Sequence, residues 1–138
     1  MLADLFGVEL ATHLTQLSDN ITIDAIVPVP LHSIRLRERG YNQAELLTKS
    51  ISKQSGIPIH ADALFRRKYT KTQTQMNNIE RIHNVQNAFG TKQSNMIAGK
   101  CWLLVDDVMT TGSTLNACAH VLMNNGALSV YTLTIARA

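Results

Sequence analysis

Leu103-Leu104-Val105-Asp106-Asp107-Val108-Met109-Thr110-Thr111-Gly112-Ser113-Thr114 passes, within one short stretch, from a wholly apolar run to two acids and then to small hydroxylated residues. With Cys101 and Trp102 ahead of it, the apolar run has the pattern of a parallel strand covered on both faces. The two acids are expected to emerge where that strand ends. The Thr-Thr-Gly-Ser-Thr turn then opens a helix predicted over about 113–125, with Leu115, Cys118 and Leu122 inward and Gly126 as its stop. Ligands of parallel α/β sheets bind outside the carboxyl ends of the strands, and this is the richest such end in the chain.

The residue types at that end have a definite chemistry. A helix N-terminus offers free N–H groups and the positive end of its dipole, so it attracts anions. Gly112 lets backbone approach a ligand closely, and Thr110, Thr111, Ser113 and Thr114 add hydroxyl donors. Asp106 and Asp107 repel phosphate, and suit vicinal hydroxyls or a hard cation such as Mg²⁺. Acids for a sugar beside a cradle for a phosphate describe a site for a sugar phosphate. A strand followed by two acids also occurs as the Mg²⁺-binding strand of P-loop NTPases. That reading requires an upstream GxxxxGK[ST], and neither it nor a GxGxxG is present. A strand leading into a merely capped helix would explain neither acid.

Working outward, the spacing of Leu2, Phe6, Leu10, Leu14 and Leu17 predicts an amphipathic helix, broken by Ser18-Asp19-Asn20. The segment 23–29 predicts a buried strand, ended by Pro28 and Pro30. A helix capped by Asn42, with Glu45 in capping-box position and Ala44, Leu47 and Ile51 inward, is stopped by Gly56 and Pro58. Residues 63–68 predict a strand, 69–87 a polar loop or lid with some helix around 77–83, and 128–135 the last strand. Alternation of strands and helices gives an α/β class, a mostly parallel central sheet flanked by helices, in a single domain over 1–138.

Composition excludes several other classes. A chain with 45% hydrophobic and 17% charged residues is neither disordered nor collagen-like. No apolar run approaches the roughly 20 residues of a membrane helix, and no secretory leader pattern opens the chain, so no membrane insertion and a cytoplasmic location are expected. Cys101 and Cys118 lack metal or disulfide spacing and are expected as small buried hydrophobes; Tyr41 and Trp102 are expected as packing residues. The net charge of +3 is uninformative as a sum, but the bases gather around 35–39 and 66–71.

The run 103–114 resembles the phosphoribosyl-diphosphate (PRPP) signature of type I phosphoribosyltransferases. A second, narrower resemblance runs through Val27-Pro28-Val29-Pro30-Leu31-His32, Arg35, Arg37 and Arg39-Gly40-Tyr41-Asn42-Gln43-Ala44. It continues through Arg67-Lys68, Thr72-Gln73, Gln75, Arg81, Asn84-Val85 and Ala88-Phe89. These motifs, in order over about 20–138, are similar to the competence-protein ComF/GntX group. The resemblance implies that Asp106 and Asp107 hold the ribose hydroxyls, with Mg²⁺ nearby, and that Thr110, Thr111, Gly112, Ser113 and Thr114 hold the 5′-phosphate. It implies that Val29, Pro30 and Leu31 form the turn that meets the pyrophosphate, and that a basic mobile loop from Lys68 to Arg81 closes over the reaction.

On that footing, cations around the leaving group stabilise its developing charge. Arg35, Arg37, Arg67 and Lys68 are assigned to the pyrophosphate, and Arg81 joins Asp106 and Asp107 in catalysis. Arg39, Arg66 and Lys71 are further candidates. The implied function is PRPP binding with Mg²⁺ and transfer of the phosphoribosyl group to an unidentified acceptor. The alternative is a catalytically quiet PRPP- or nucleotide-binding domain that serves DNA uptake or regulation through protein or nucleic-acid partners. Nucleic acid is the less favoured ligand because Tyr69 alone interleaves the basic stretch. The oligomeric state is left open, a homodimer included. Members of the group commonly carry a four-cysteine zinc ribbon ahead of this domain. Its pattern does not occur in this chain, which is therefore expected to be a fragment or a short member.

Overall fold

The computed structural model describes residues 21–31, 36–38, 40–67, 87–109 and 112–137. The predicted helix over 2–17 and the predicted lid with its helix around 77–83 lie outside these residues.

The centre is a three-stranded parallel sheet in the order β1 (Ala25–Pro28), β4 (Cys101–Met109), β5 (Ser129–Arg137). A parallel bridge from Ile26 to Ile59 extends it on the far side of β1. There Ile26 N–H donates to the Pro58 carbonyl at 2.9 Å and His60 N–H to the Ile26 carbonyl at 2.9 Å. These bonds explain how Pro28 can be the last residue of β1 rather than its breaker. Alternate residues of a strand aim their N–H groups to alternate sides. Ile26 and Pro28 therefore face the Ile59 edge, so the missing donor of Pro28 takes nothing from the ladder with β4.

Alternation along the strands sorts the core into two layers. Ala25, Val27, Trp102 and Leu104 turn to one face and meet Leu115, Cys118 and Leu122 of α3 (Ser113–Asn124), together with Leu64, Phe89 and Ile97. Ile26, Leu103 and Val105 turn to the other and meet Leu47 and Ile51 of α1 (Gln43–Ser55). Trp102 is fully buried as expected, its indole N–H donating to the Ile97 carbonyl at 3.1 Å. Burying each of these side chains is worth about 1.5–3 kcal/mol.

Local signals fix the helix ends. The Asn42 side chain accepts from Ala44 N–H, and Gly56, at φ 78°, closes α1 in the left-handed conformation that glycine adopts without a Cβ clash. Glu45 pairs with Lys49 at 3.7 Å, an exposed i,i+4 contact.

Several expectations change. The strand predicted over 63–68 is a short 3₁₀ turn (Ala61–Ala63) followed by only two strand residues, β2 (Phe65–Arg66), which pairs antiparallel with β3 (Phe89–Gly90) in a separate small sheet. A further helical turn, α2 (Ser94–Ile97), precedes β4. Tyr41 is exposed, not packed, and Cys101 is only partly buried because it stands at the start of β4. β4 does not end before the acids but runs through them to Met109, because β5 supplies paired residues as far as Arg137.

The two-layer arrangement predicts unequal costs of truncation. Leu104→Ala, which empties a fully buried site, is expected to lower the unfolding free energy by about 2–5 kcal/mol in urea titration. Thr132→Ala, on the exposed surface of β5, is expected to change it by no more than about 0.5 kcal/mol, and equal effects would contradict the layering.

Candidate functional site

The site forms where β1 leaves the sheet and β4 continues without it. The register pairs Pro28 with Val105, and Val29 N–H donates to the Val105 carbonyl at 2.9 Å. β1 ends at Pro28 and its pairing with β4 goes no further than Val105, so the β1 edge of β4 opens beside Asp106. On the other edge, Asp106 pairs with Thr134, Val108 with Ala136 and Met109 with Arg137. Both acids are thus carried on hydrogen-bonded strand, a more rigid support than a loop.

Consecutive strand residues point to opposite faces. With Leu104 toward α3 and Val105 toward α1, Asp106 lies on the α3 side and Asp107 on the α1 side. The pair straddles the strand end. The carboxylate of Asp106 accepts from the backbone N–H of Asp107 at 2.9 Å. Burial pushes the Asp106 carboxyl up to about 6. Among the smaller influences, the N–H of Asp107 and the charge of Arg66 act against this shift, while the Asp107 carboxyl adds to it. On α3, behind the acid, buried Cys118 has its thiol pushed up by desolvation and then by the charge of Asp106.

Gly112 precedes α3 at φ 80°, as a turn from strand to helix at this point requires. It has no side chain with which to cap the helix, so the first-turn N–H groups of α3 are not capped by their own N-cap residue. Ser113 is exposed and Thr114 half-buried at the start of that helix. Across the strand end, Val29 is buried and Pro30 and Leu31 partly so. Asn42 ties this turn to α1, because its Nδ2 donates to the Val29 carbonyl at 3.2 Å while its Oδ1 caps the helix. Nothing in the sequence beyond the capping pattern marks Asn42 for this second role.

The structure therefore places Asp106 and Asp107 on β4 next to the point where the Val29–Pro30–Leu31 turn leaves it, with Gly112, Ser113 and Thr114 at the start of the helix that follows β4. Arg37 is exposed. Arg67 also is exposed, its guanidinium lying 5.3 Å from the Phe65 ring centroid and against Gly90, so it is engaged on the β2–β3 hairpin. Arg35, Lys68, Arg81, Thr110 and Thr111 lie outside the described residues.

The phosphoribosyl transferase domain model matches residues 5–138. Competence protein F of Haemophilus influenzae is 40% identical over 116 residues, covering 83% of this chain and 51% of the relative. The DNA utilization protein YhgH of Escherichia coli K12 is 36% identical over 114 residues, covering 83% and 49%. Competence protein ComFC of Bacillus subtilis is 35% identical over 114 residues, covering 82% and 44%. The chain thus spans about half the length of the curated relatives it matches. Among solved structures, the glutamine PRPP amidotransferase of B. subtilis superposes with a TM-score of 0.65 at 19% identity, over 96% of this chain and 25% of that one. The adenine phosphoribosyltransferase of Saccharomyces cerevisiae superposes at 0.62 and 18%, over 99% and 66%. These superpositions show a shared fold.

The raised Asp106 predicts a pH dependence of stability. A carboxyl raised in the folded state keeps its proton longer there than in the unfolded chain. Its contribution is therefore present below about pH 4 and is lost as pH rises through about 6. Asp106→Asn, which cannot ionise, is expected to unfold at higher urea than the parent at pH 8 and at similar urea at pH 4. A difference of the same size at both pH values would show that Asp106 is not held up by burial.

Proposed function

The chain belongs to the phosphoribosyl transferase domain family, and from that premise we propose that it binds PRPP and transfers the phosphoribosyl group to an acceptor nucleophile. The observation that carries this reading is the acid pair on β4 beyond its last pairing with β1, followed in the chain by α3, whose N-cap residue Gly112 has no capping side chain. Carboxylates there accept hydrogen bonds from the ribose hydroxyls, while the N–H groups after Gly112 receive the 5′-phosphate. In the transfer, the ribose C1–oxygen bond breaks with its electrons going to pyrophosphate, a bond forms from C1 to the acceptor, and the acceptor gives up a proton. Negative charge grows on the leaving group beside the Val29–Pro30–Leu31 turn. Positive charge grows on the ribose, close to Asp106 and Asp107, where it is stabilised by their carboxylates.

The donor set suits Mg²⁺. Adjacent carboxylates are hard oxygen ligands, and Mg²⁺ is commonly held by one or two carboxylates together with substrate phosphates. Asp106 and Asp107 would hold it, and it would supply charge neutralisation for the pyrophosphate. Among the described residues no helix is long and apolar enough to cross a membrane. Both cysteines are free, as a reducing cytoplasm keeps them, and that is the setting proposed.

A second reading is favoured by the names of the relatives, competence and DNA utilization proteins. On it the domain binds PRPP or a nucleotide without turnover and acts in DNA uptake through partners. Pyrophosphate release from PRPP and Mg²⁺ with a panel of bases and amines supports transfer, whereas saturable binding with no release across the panel supports the second reading.

Both readings share one expectation. In titration calorimetry with PRPP and Mg²⁺, the parent binds, and Asp106→Asn with Asp107→Asn weakens binding by about tenfold or more, the loss of at least one charge-assisted hydrogen bond. Equal affinities would remove the acid pair from the site.

A further inference from the structure

Asn42 makes three hydrogen bonds where the chain enters α1. Its Oδ1 accepts from Ala44 N–H at 3.1 Å, and its backbone carbonyl accepts from Leu46 N–H at 3.1 Å. Its Nδ2 donates to the Val29 carbonyl at 3.2 Å, thirteen residues back in the chain. The first two bonds belong to the start of the helix, and the third crosses to the end of β1. The partners dictate how the amide is turned, since a backbone N–H requires its oxygen and a carbonyl requires its nitrogen.

Val29 is engaged through both of its backbone groups. Its N–H donates to the Val105 carbonyl at 2.9 Å, and its carbonyl is the one that Asn42 holds. That carbonyl belongs to the peptide group joining Val29 to Pro30, whose nitrogen carries no hydrogen. This peptide group has the carbonyl alone by which to be fixed. Three elements are thereby joined in series: β4 at Val105, the residue before Asp106, the turn at Val29, and α1 at the buried Ala44.

The cap by itself does not call for asparagine. Asn, Asp and Ser cap helices about equally well, and Thr nearly so. Of the four, only asparagine sets an N–H donor beside the capping oxygen at the same reach. Aspartate would turn a second acceptor to the carbonyl, and the hydroxyls of Ser and Thr are shorter. It is therefore the bond to Val29 that selects Asn at 42. A carbonyl oxygen is also a poor neighbour for an anion, and Asn42 keeps that of Val29 occupied.

We propose that Asn42 is a positioning residue: through Nδ2 it locks the Val29–Pro30–Leu31 turn in the orientation that receives the pyrophosphate of PRPP, and so sets the affinity for that part of the ligand. This deepens the reading of the site as a receptor for PRPP, and rests on it.

Asn42→Ser keeps a capping oxygen and removes the amide donor, and Asn42→Thr takes its place if that variant does not fold. In calorimetry with Mg²⁺, Asn42→Ser is expected to weaken PRPP binding about threefold to tenfold, the worth of one neutral hydrogen bond. The affinity for ribose 5-phosphate, which has no pyrophosphate, is expected to stay the same. An equal loss for both ligands would reveal a merely structural role and overturn the proposal, as would unchanged affinity for PRPP. Amide exchange without ligand is the second readout. Val29 and Leu31 are expected to exchange faster in Asn42→Ser than in the parent, while Leu47 inside α1 keeps its rate. Exchange that quickens equally at all three, or at none, overturns the proposal. A parent that binds neither ligand, with exchange still quickened at the turn alone, refutes the ligand reading and leaves the tether supported.

Discussion

Pairing of β4 on both edges as far as Val105, and on one edge beyond it, is the constraint from which the site follows. As long as β1 and β5 both flank the strand, and α1 and α3 cover its faces, only apolar residues fit, and Trp102 to Val105 are all buried. Once β1 leaves the ladder after Val29, the strand is still held by β5, yet one edge is open to a ligand. Asp106 and Asp107 occupy that interval. Their backbone belongs to a strand paired with β5, and their side chains are partly buried, at the boundary between core and solvent.

This placement costs stability and gives orientation. Burial holds Asp106 up at about 6, which is a measure of how poorly the folded protein solvates its charge. Asp107 aggravates this and Arg66 relieves it. The Asp106 carboxyl that burial disfavours as an anion is the group to which the proposed function assigns the ribose hydroxyls. Asn42 contributes in the same sense by bonding α1 to the Val29 carbonyl, which fixes the turn opposite the acids.

What could be read from the sequence was local. The apolar run of β4, the Asn42 cap and the Gly56 stop each follow from the residue and its near neighbours, and the structure contains all three. The resemblance to phosphoribosyltransferases and the competence-protein group likewise holds. What escaped depends on distant pairing. The continuation of β4 through the acids is dictated by β5, more than twenty residues on, and no property of Val108 or Met109 announces it. β2 and β3 are two residues each, too short for any periodicity, and they form only because each finds the other. The stack of Arg66 on Phe89 follows from that hairpin, so it could not be seen in a basic run that reads equally as a solvated face.

The central claim is that the open end of β4 receives a sugar phosphate, hydroxyls to the acids and phosphate to the start of α3. A crystal structure of the protein soaked with PRPP and Mg²⁺ tests this most directly. The account predicts the ribose hydroxyls within hydrogen-bond distance of the Asp106 and Asp107 carboxylates and the 5′-phosphate against the backbone from Gly112 to Thr114. Ligand density elsewhere on the molecule, with those carboxylates untouched, would contradict it.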